Sequence, residues 1–116
     1  MSPPGYVYLK YCSELDLCKV GVAKNDEIRT KSLQTGNPYK IETINIFYSE
    51  YPYKIESNLH REYSCYKKDI NNIKLKGEWF KLSDSQINEF VDKCKFLESN
   101  IKFLIESNNP FILKKS

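Results

Sequence analysis

Two short extended runs near the N-terminus, separated by five residues, most strongly constrain the fold of this chain. Residues 5–11 and 17–24 are rich in valine, tyrosine and other residues that favour strands, and residues 12–16 form a short connection between them. Runs of this length joined in this way are typical of a β-hairpin. We therefore expect the chain to open with two paired strands.

A helix and a third strand are predicted after the hairpin. Asn25 or Asp26 can cap a helix over about 26–34, and the glycine, asparagine and proline at 36–38 stop it. Residues 40–48 alternate in hydropathy, which predicts a strand. One face of this strand carries Ile44, Ile46 and Tyr48.

The second half of the chain predicts two more helices. Apolar residues mark one side of a helix over about 52–66, residues 67–77 are polar and predict a loop, and residues 78–82 are extended. Ser83, with a glutamine three residues later, forms a capping-box pattern that opens a helix ending near Glu106. The apolar seam of that helix consists of Ile87, Phe90, Cys94, Leu97, Ile101 and Leu104.

These elements predict an α/β (α+β) fold with a central, mainly antiparallel three-stranded sheet flanked by helices, plus a long C-terminal helix. The length of 116 residues suits a single domain over 1–116. Within it we expect a core over 5–82, the C-terminal helix over 83–107 and a tail over 108–116.

Composition narrows the class of protein. The chain is 41% hydrophobic and 14% aromatic, enough to fill a core, and no apolar run reaches transmembrane length or resembles a signal peptide. Its four cysteines contain no CxxC pair and it has one histidine, so a structural zinc site is not expected. We expect a soluble, intracellular, cytoplasmic protein with reduced thiols and no membrane partner.

Three polar residues in the first quarter have side chains that suit phosphodiester chemistry. Tyr8 lies in the first run, Lys19 in the second and Arg29 in the helix that follows. Two strands and a helix can bring this phenol, ammonium and guanidinium together. Arginine is scarce here, since only Arg29 and Arg61 occur among 18 basic residues. In such a lysine-rich chain an arginine indicates a position where a planar group with several hydrogen-bond donors is needed.

The order of these motifs resembles the GIY-YIG nuclease superfamily. Tyr6-Val7-Tyr8 stands in the place of GIY and Lys19-Val20-Gly21 in the place of YIG. Further pieces are similar to a compact branch found in phages and large DNA viruses, whose proteins act in the host cell or nucleoid. These pieces are Leu33-Gln34-Thr35-Gly36-Asn37-Pro38, Ile55-Glu56 with Leu59-His60, and Gly77-Glu78-Trp79-Phe80. The chain departs from the pattern in that Tyr6 replaces the first glycine and Lys19 the second tyrosine.

The resemblance implies catalytic roles for five residues. Tyr8 assists deprotonation of the attacking water, and Lys19 is expected to lower the pKa of the Tyr8 phenol. Arg29 holds the scissile phosphate. Glu56 binds a divalent cation, Mg²⁺ or Mn²⁺. His60, four residues after Glu56 and so on the same helix face, serves as a second base or orients a water or phosphate.

Each of these residues also has a structural interpretation. Tyr8 can be a packed sheet tyrosine, Lys19 an exposed strand lysine, and Arg29 and Glu56 solvated helix residues. Glu78 is a second candidate for the metal carboxylate, although its neighbours Trp79 and Phe80 are expected to seal the core, which favours a structural role for Glu78.

DNA is the expected partner. A net charge of +3 permits nucleic-acid binding without requiring it. Candidate phosphate contacts, which bind without reading sequence, are Lys24, Lys31, Lys40, Lys54 and Lys67. No helix-turn-helix or zinc finger accompanies them, so sequence specificity is low, built into loops, or supplied by a partner protein.

The sequence thus favours a metal-dependent endonuclease that hydrolyses DNA phosphodiester bonds, and leaves two alternatives open. One is a module of the same fold that binds nucleic acid without cutting it. The other is a protein-interaction domain that uses the C-terminal helix, including a homodimer through the free helix face carrying Phe96 and Phe103.

Overall fold

A computed structural model of the chain describes residues 3–24, 40–68 and 77–107. The strands are β1 (Gly5–Cys12), β2 (Leu17–Ala23), β3 (Ile41–Ser49), β4 (Lys67–Lys68) and β5 (Trp79–Phe80). The described helices are α1 (Pro52–Glu62), α2 (Asp84–Asn88) and α3 (Phe90–Glu106). The predicted helix over 26–34 and the turn at 36–38 lie outside the described residues.

The strands form one antiparallel sheet in the order β3-β1-β2-β5-β4. This confirms the α+β class and the predicted hairpin of β1 and β2. The expectation of three strands was wrong, because the described sheet has five. Strands β4 and β5 contain two residues each, too few to leave an alternating pattern, and β4 falls in what was predicted to be a loop over 67–77.

The two long neighbours of β1 differ in how they pair with it. The β1–β2 ladder runs without interruption from Tyr6 to Cys12, whereas the β1–β3 register shifts between Leu9 and Lys10. Leu9 pairs with Asn45 and Lys10 with Thr43, so β3 accommodates one additional residue, as in a β-bulge.

Hydrophobic side chains pack on both faces of the sheet. The larger cluster joins Val7, Leu9, Cys18 and Val20 of the sheet to the buried faces of α1 and α3. A smaller cluster on the opposite face contains the following residues: Cys12, Leu17, Ile41 and Trp79. We call this opposite side the outer face. The adjacent residues Trp79 and Phe80 belong to different clusters because successive strand side chains point to opposite faces. Their burial confirms that they seal the core.

The alternating side of β3 predicted from sequence lies on the outer face and is largely open to solvent. Tyr48 is 55% and Ile44 36% exposed, while Phe47, on the other side of the strand, packs against the larger cluster. Alternation therefore identified the strand without identifying which side is buried.

Helix α1 ends earlier than predicted. Its Ile55 and Leu59 are fully buried, but the α-helix stops at Glu62 and a 3₁₀ turn over Ser64–Tyr66 follows. Tyr66, expected on the apolar side, is 41% exposed because the tighter turn rotates it away from the core.

The predicted single helix over 83–107 is divided at Glu89 into α2 and α3. The Ser83 capping box is present, with the hydroxyl accepting from the amide of Gln86. The Asn45 side-chain amide donates to the Ile87 carbonyl at 3.1 Å. This bond takes one of the last carbonyls of α2, which explains why regular helix ends there.

The apolar seam of α3 packs on the larger cluster. Phe90, Cys94 and Ile101 are buried, whereas Phe96 and Phe103 on the second face are 64% and 68% exposed. Dimerisation through that face stays a prediction. None of the helices in the described ranges is long and apolar enough to cross a membrane.

Candidate active site

Tyr8 and Lys19 lie side by side on the outer face of the hairpin. The register pairs Tyr8 with Gly21 and Lys10 with Lys19 across the two strands. Directly paired residues, and residues two apart on one strand, share a face. The four positions therefore form one patch, in which two lysines stand beside a tyrosine and a glycine.

Gly21 makes room for the Tyr8 ring. A Cβ atom at position 21 would lie 2.2 Å from the Tyr8 hydroxyl oxygen and 2.3 Å from Cζ. Because a side chain here would overlap the phenol, glycine is required for the ring to lie across β2. This gives a physical reason for a glycine at this place in the Lys19-Val20-Gly21 motif.

Gly77 provides similar space for Lys19. Its φ of +98° lies in a region that favours glycine, and a Cβ there would approach the Lys19 Nζ to 2.9 Å. The same ammonium lies 5.9 Å from the centroid of the Trp79 ring. The segment before β5 therefore holds the end of the Lys19 side chain against the sheet.

Helix α1 contributes Glu56 and His60. Each follows a fully buried residue, Ile55 or Leu59, so packing of the helix fixes both at the margin of the core. The His60 Nε2 lies 3.0 Å from the carbonyl oxygen of Val20, on β2. This contact anchors the functional side of α1 to the strand that carries Lys19.

The second ring nitrogen of His60 contacts Glu78. Nδ1 lies 2.7 Å from Glu78 Oε2, and the other carboxylate oxygen of Glu78 is 3.0 Å from Lys67 Nζ. A carbonyl oxygen and an ionised carboxylate can only accept hydrogen bonds, so these contacts fix the position of the His60 ring between β2 and Glu78. The predicted roles of His60, as a second base or in orienting a water or phosphate, stay predictions.

Glu56 and Glu78 differ in their partners. Glu78 is held by Lys67 and His60, and the hydrogen bond from Lys67 is the main reason that the pKa of Glu78 is lowered. No ion pair is formed by Glu56 within 3–24, 40–68 and 77–107. Burial raises the pKa of Glu56, and among nearby charges His60 and Lys19 lower it while Glu78 raises it. Among the described residues Glu56 is thus the carboxylate of this pair without an ion-pair partner, and its predicted role in binding a metal stays a prediction.

The charge of Glu56 reaches both outer-face residues. Burial raises the pKa of the Tyr8 phenol, and Glu56 raises it further. Burial lowers the pKa of Lys19, against an opposing effect of Glu56. The expectation that Lys19 lowers the Tyr8 pKa was wrong for the free protein, because burial and the carboxylate dominate.

Four of the five residues predicted to be catalytic lie on described elements: Tyr8 on β1, Lys19 on β2, and Glu56 and His60 on α1. The charge of Glu56 influences both Tyr8 and Lys19, and the catalytic roles of all four residues stay predictions. Arg29 and Lys31 lie outside the described residues, so their roles stay predictions.

The other candidate DNA-contacting lysines differ in their surroundings. Lys24 and Lys40 are exposed, and Lys40 pairs with Glu42 at 3.1 Å. Lys54 is half-buried. Lys67 is engaged by Glu78.

Sequence reasoning missed Lys10. This lysine is only 6% exposed, and its Nζ lies 4.6 Å from the centroid of the Tyr8 ring. The available signal was its position two residues after Tyr8, on the same side of the same strand.

The chain was also compared with known proteins. No curated protein and no solved structure gives a significant match. The sequence profile of the T5orf172 domain matches residues 5–95, which include all the described site residues above. This phage-associated domain is described as a nuclease-type fold, consistent with a nuclease-like or DNA-binding role. The chain belongs to the T5orf172 domain family.

Proposed function

We propose that this protein is a metal-dependent endonuclease of the GIY-YIG type that hydrolyses DNA phosphodiester bonds. The observation that carries the proposal is that Tyr8 on β1 and Lys19 on β2 share the outer face, while α1, which carries Glu56, is anchored to β2 through His60. The charge of Glu56 influences the pKa of both side chains. A phenol, an ammonium and an acidic side chain therefore meet at one place in a domain of a nuclease-type family.

The residues present suit a hard divalent cation. Within the described ranges there is no cluster of three or more His, Cys, Asp or Glu side chains that could hold a metal. Glu56, which forms no ion pair with the described residues, offers a single carboxylate that water and phosphate oxygens can complete in the way that Mg²⁺ usually binds. Glu56 would hold Mg²⁺ or Mn²⁺, which would supply positive charge to polarise the phosphate.

Tyr8 and Lys19 act on the other side of the phosphate. Because the pKa of Tyr8 is raised, its phenol stays protonated at neutral pH in the free protein. The phenol therefore first orients the attacking water by hydrogen bonding. Neutralising the charge of Glu56 removes one of the two causes that raise the pKa of Tyr8. Lys19 places an ammonium beside the same atoms, where it opposes negative charge that develops on the phosphate.

His60 links the helix that carries Glu56 to the sheet. Its contacts with Val20 on β2 and with Glu78, directly before β5, hold α1 in place and so fix the distance of Glu56 from the sheet. Arg29 is proposed to bind a nonbridging oxygen of the scissile phosphate.

The test is nicking of supercoiled plasmid DNA with Mg²⁺, Mn²⁺ or EDTA. Cleavage should require the metal, and Glu56→Gln should reduce its rate by about 100-fold or more, the range for removing a group that stabilises the transition state. Glu106→Gln is the matched control, because Glu106 is exposed near the end of α3. Arg29→Ala and Tyr8→Phe test the phosphate and water roles.

Folding of each variant is checked by circular dichroism. DNA binding without metal-dependent cleavage would overturn the proposal in favour of a binding module. Equal loss of activity in Glu56→Gln and Glu106→Gln would remove Glu56 from the site.

A further inference from the structure

Lys10 is a buried lysine beside Tyr8 and Lys19 that has no part in the function proposed above. Its side chain is 6% exposed, yet a lysine is rarely buried unless it is paired. Within the described parts of the chain its ammonium has no carboxylate partner. Among the described residues its ammonium contacts the Tyr8 ring, 4.6 Å from the centroid.

The cross-strand neighbour of Lys10 is another lysine. Lys10 and Lys19 are directly paired in the β1–β2 ladder, so their side chains leave the sheet on the same face. Like charges in this arrangement repel each other. Burial and then the charge of Lys19 lower the pKa of Lys10, as expected for a cation with no anionic partner among the described residues.

Both ammonium groups are held in place before any ligand arrives. Lys10 rests on the Tyr8 ring, and Lys19 lies against Gly77 and near Trp79. Immobilising a mobile lysine side chain on binding costs about 0.5–1.5 kcal/mol in conformational entropy. This cost is smaller here because packing already restricts both side chains. Two fixed cations beside a phenol are a suitable receptor for a phosphate.

We propose that Lys10 is a phosphate-binding residue of this site, its ammonium acting with that of Lys19 to hold one backbone phosphate of the nucleic acid beside Tyr8. The inference rests on the proposed function for the identity of the ligand. The anion relieves the repulsion between the two lysines. Lys10 then binds the phosphate directly. Its contact with the Tyr8 ring keeps the phenol positioned beside the bound strand.

The experiment measures binding without cleavage. A fluorescein-labelled 20-base-pair duplex is titrated with wild type, Lys10→Met, Lys10→Arg and Lys95→Met in EDTA, and anisotropy is recorded between 50 and 200 mM NaCl. Methionine retains most of the stem without the charge, and Lys95, exposed on α3, is the matched control.

Lys10→Met should raise Kd about tenfold at 100 mM NaCl, the effect of losing one charge-assisted hydrogen bond. The slope of log K against log salt should become shallower by about 0.9, the value for one phosphate contact. Lys10→Arg should retain the wild-type slope, and Lys95→Met should match wild type.

Three results would overturn the proposal. They are an unchanged slope in Lys10→Met, equal losses in Lys10→Met and Lys10→Arg, which indicate a packing role only, and no binding of the duplex by wild type. If Lys10→Met does not fold, Lys10→Gln replaces it in the same titration. Plasmid cleavage is measured separately. A shallower salt slope in Lys10→Met without cleavage by wild type supports phosphate binding by Lys10 and refutes the proposed hydrolysis. Cleavage by wild type with an unchanged salt slope supports hydrolysis and refutes phosphate binding by Lys10.

Discussion

Replacing Gly21 with alanine should displace Tyr8 and reduce both stability and activity. The new Cβ would lie 2.2 Å from the Tyr8 oxygen, with Cζ at 2.3 Å and Cε1 at 2.8 Å. Because nonbonded carbon atoms settle near 3.5 Å, Cζ of the ring must move by roughly 1.2 Å. The backbone of β2 cannot give way easily, since it is paired with β1 on one side.

The magnitude follows from the cost of overpacking. Inserting a methyl group into a packed site typically costs about 1–3 kcal/mol. For a domain of this length, about 1 kcal/mol corresponds to roughly 4 °C, so Tm should fall by about 4–12 °C. A displacement of about 1 Å in a catalytic group can cost about 100-fold in rate, and plasmid nicking should fall accordingly.

A double-mutant cycle with Tyr8→Leu isolates the cause. Leucine lacks the three atoms that would collide, so Gly21→Ala in that background should leave Tm unchanged or raise it slightly, because alanine restricts the unfolded chain. Thermal melts followed by circular dichroism measure all four corners of the cycle. The reasoning fails if Gly21→Ala is as stable and active as wild type, or if its destabilisation persists undiminished in the Tyr8→Leu background.

Four further predictions concern charge and burial. Glu56→Gln should increase the free energy of unfolding at pH 7 and leave it unchanged below about pH 4. The reason is that the pKa of Glu56 is raised in the folded protein, so its ionised form, present at pH 7, opposes folding; urea denaturation at both pH values measures the difference. Glu78→Gln should destabilise by about 1 kcal/mol or less at pH 7, and the difference should vanish as pH falls through the lowered pKa of Glu78, in the same assay. One fast thiol should react with Ellman's reagent and disappear in Cys65→Ser, because Cys65 is exposed whereas burial raises the pKa of Cys18 to about 12. Lys19→Met should lower kcat/KM and weaken its fall at alkaline pH, because the proposed role of Lys19 requires an ammonium whose pKa is lowered; Tyr8→Phe should lower the rate while retaining that fall, and pH–rate profiles of plasmid nicking measure both.

The sequence predicted those parts of the fold that depend on local chemistry. The β1–β2 hairpin, the Ser83 capping box and the buried stripe on α3 follow from residues that are close along the chain. The division of the last helix could not be predicted, because it depends on a hydrogen bond from Asn45, which is 42 residues away from Ile87. Pairing of β4 with β5 is likewise a tertiary contact between segments too short to carry a pattern.

The same distinction applies to the site. Tyr8 and Lys19 could be placed near each other from the hairpin alone, and Glu56 with His60 from helical spacing. The contact between His60 and the Val20 carbonyl joins separate elements, and no residue type at position 20 announces it because the group is backbone. Lys10 was missed because a lysine in a lysine-rich chain gives no indication that it is buried.

Burial shifts the pKa values of the outer-face groups in opposite directions. In water a tyrosine has a pKa near 10 and a lysine near 10.4, so the phenol ionises first by a small margin. Here the pKa of Tyr8 is raised and those of Lys10 and Lys19 are lowered, so both kinds of shift favour loss of a lysine proton before that of the phenol. As pH rises, this patch should therefore lose positive charge before Tyr8 ionises. The roles proposed for Lys10 and Lys19 require their ammonium forms, so kcat/KM, which reports groups of the free enzyme, should fall on the alkaline side as a lysine loses its proton. A lysine in the place of the motif's second tyrosine thus suits the proposed hydrolysis, since it supplies a positive charge that a protonated phenol does not.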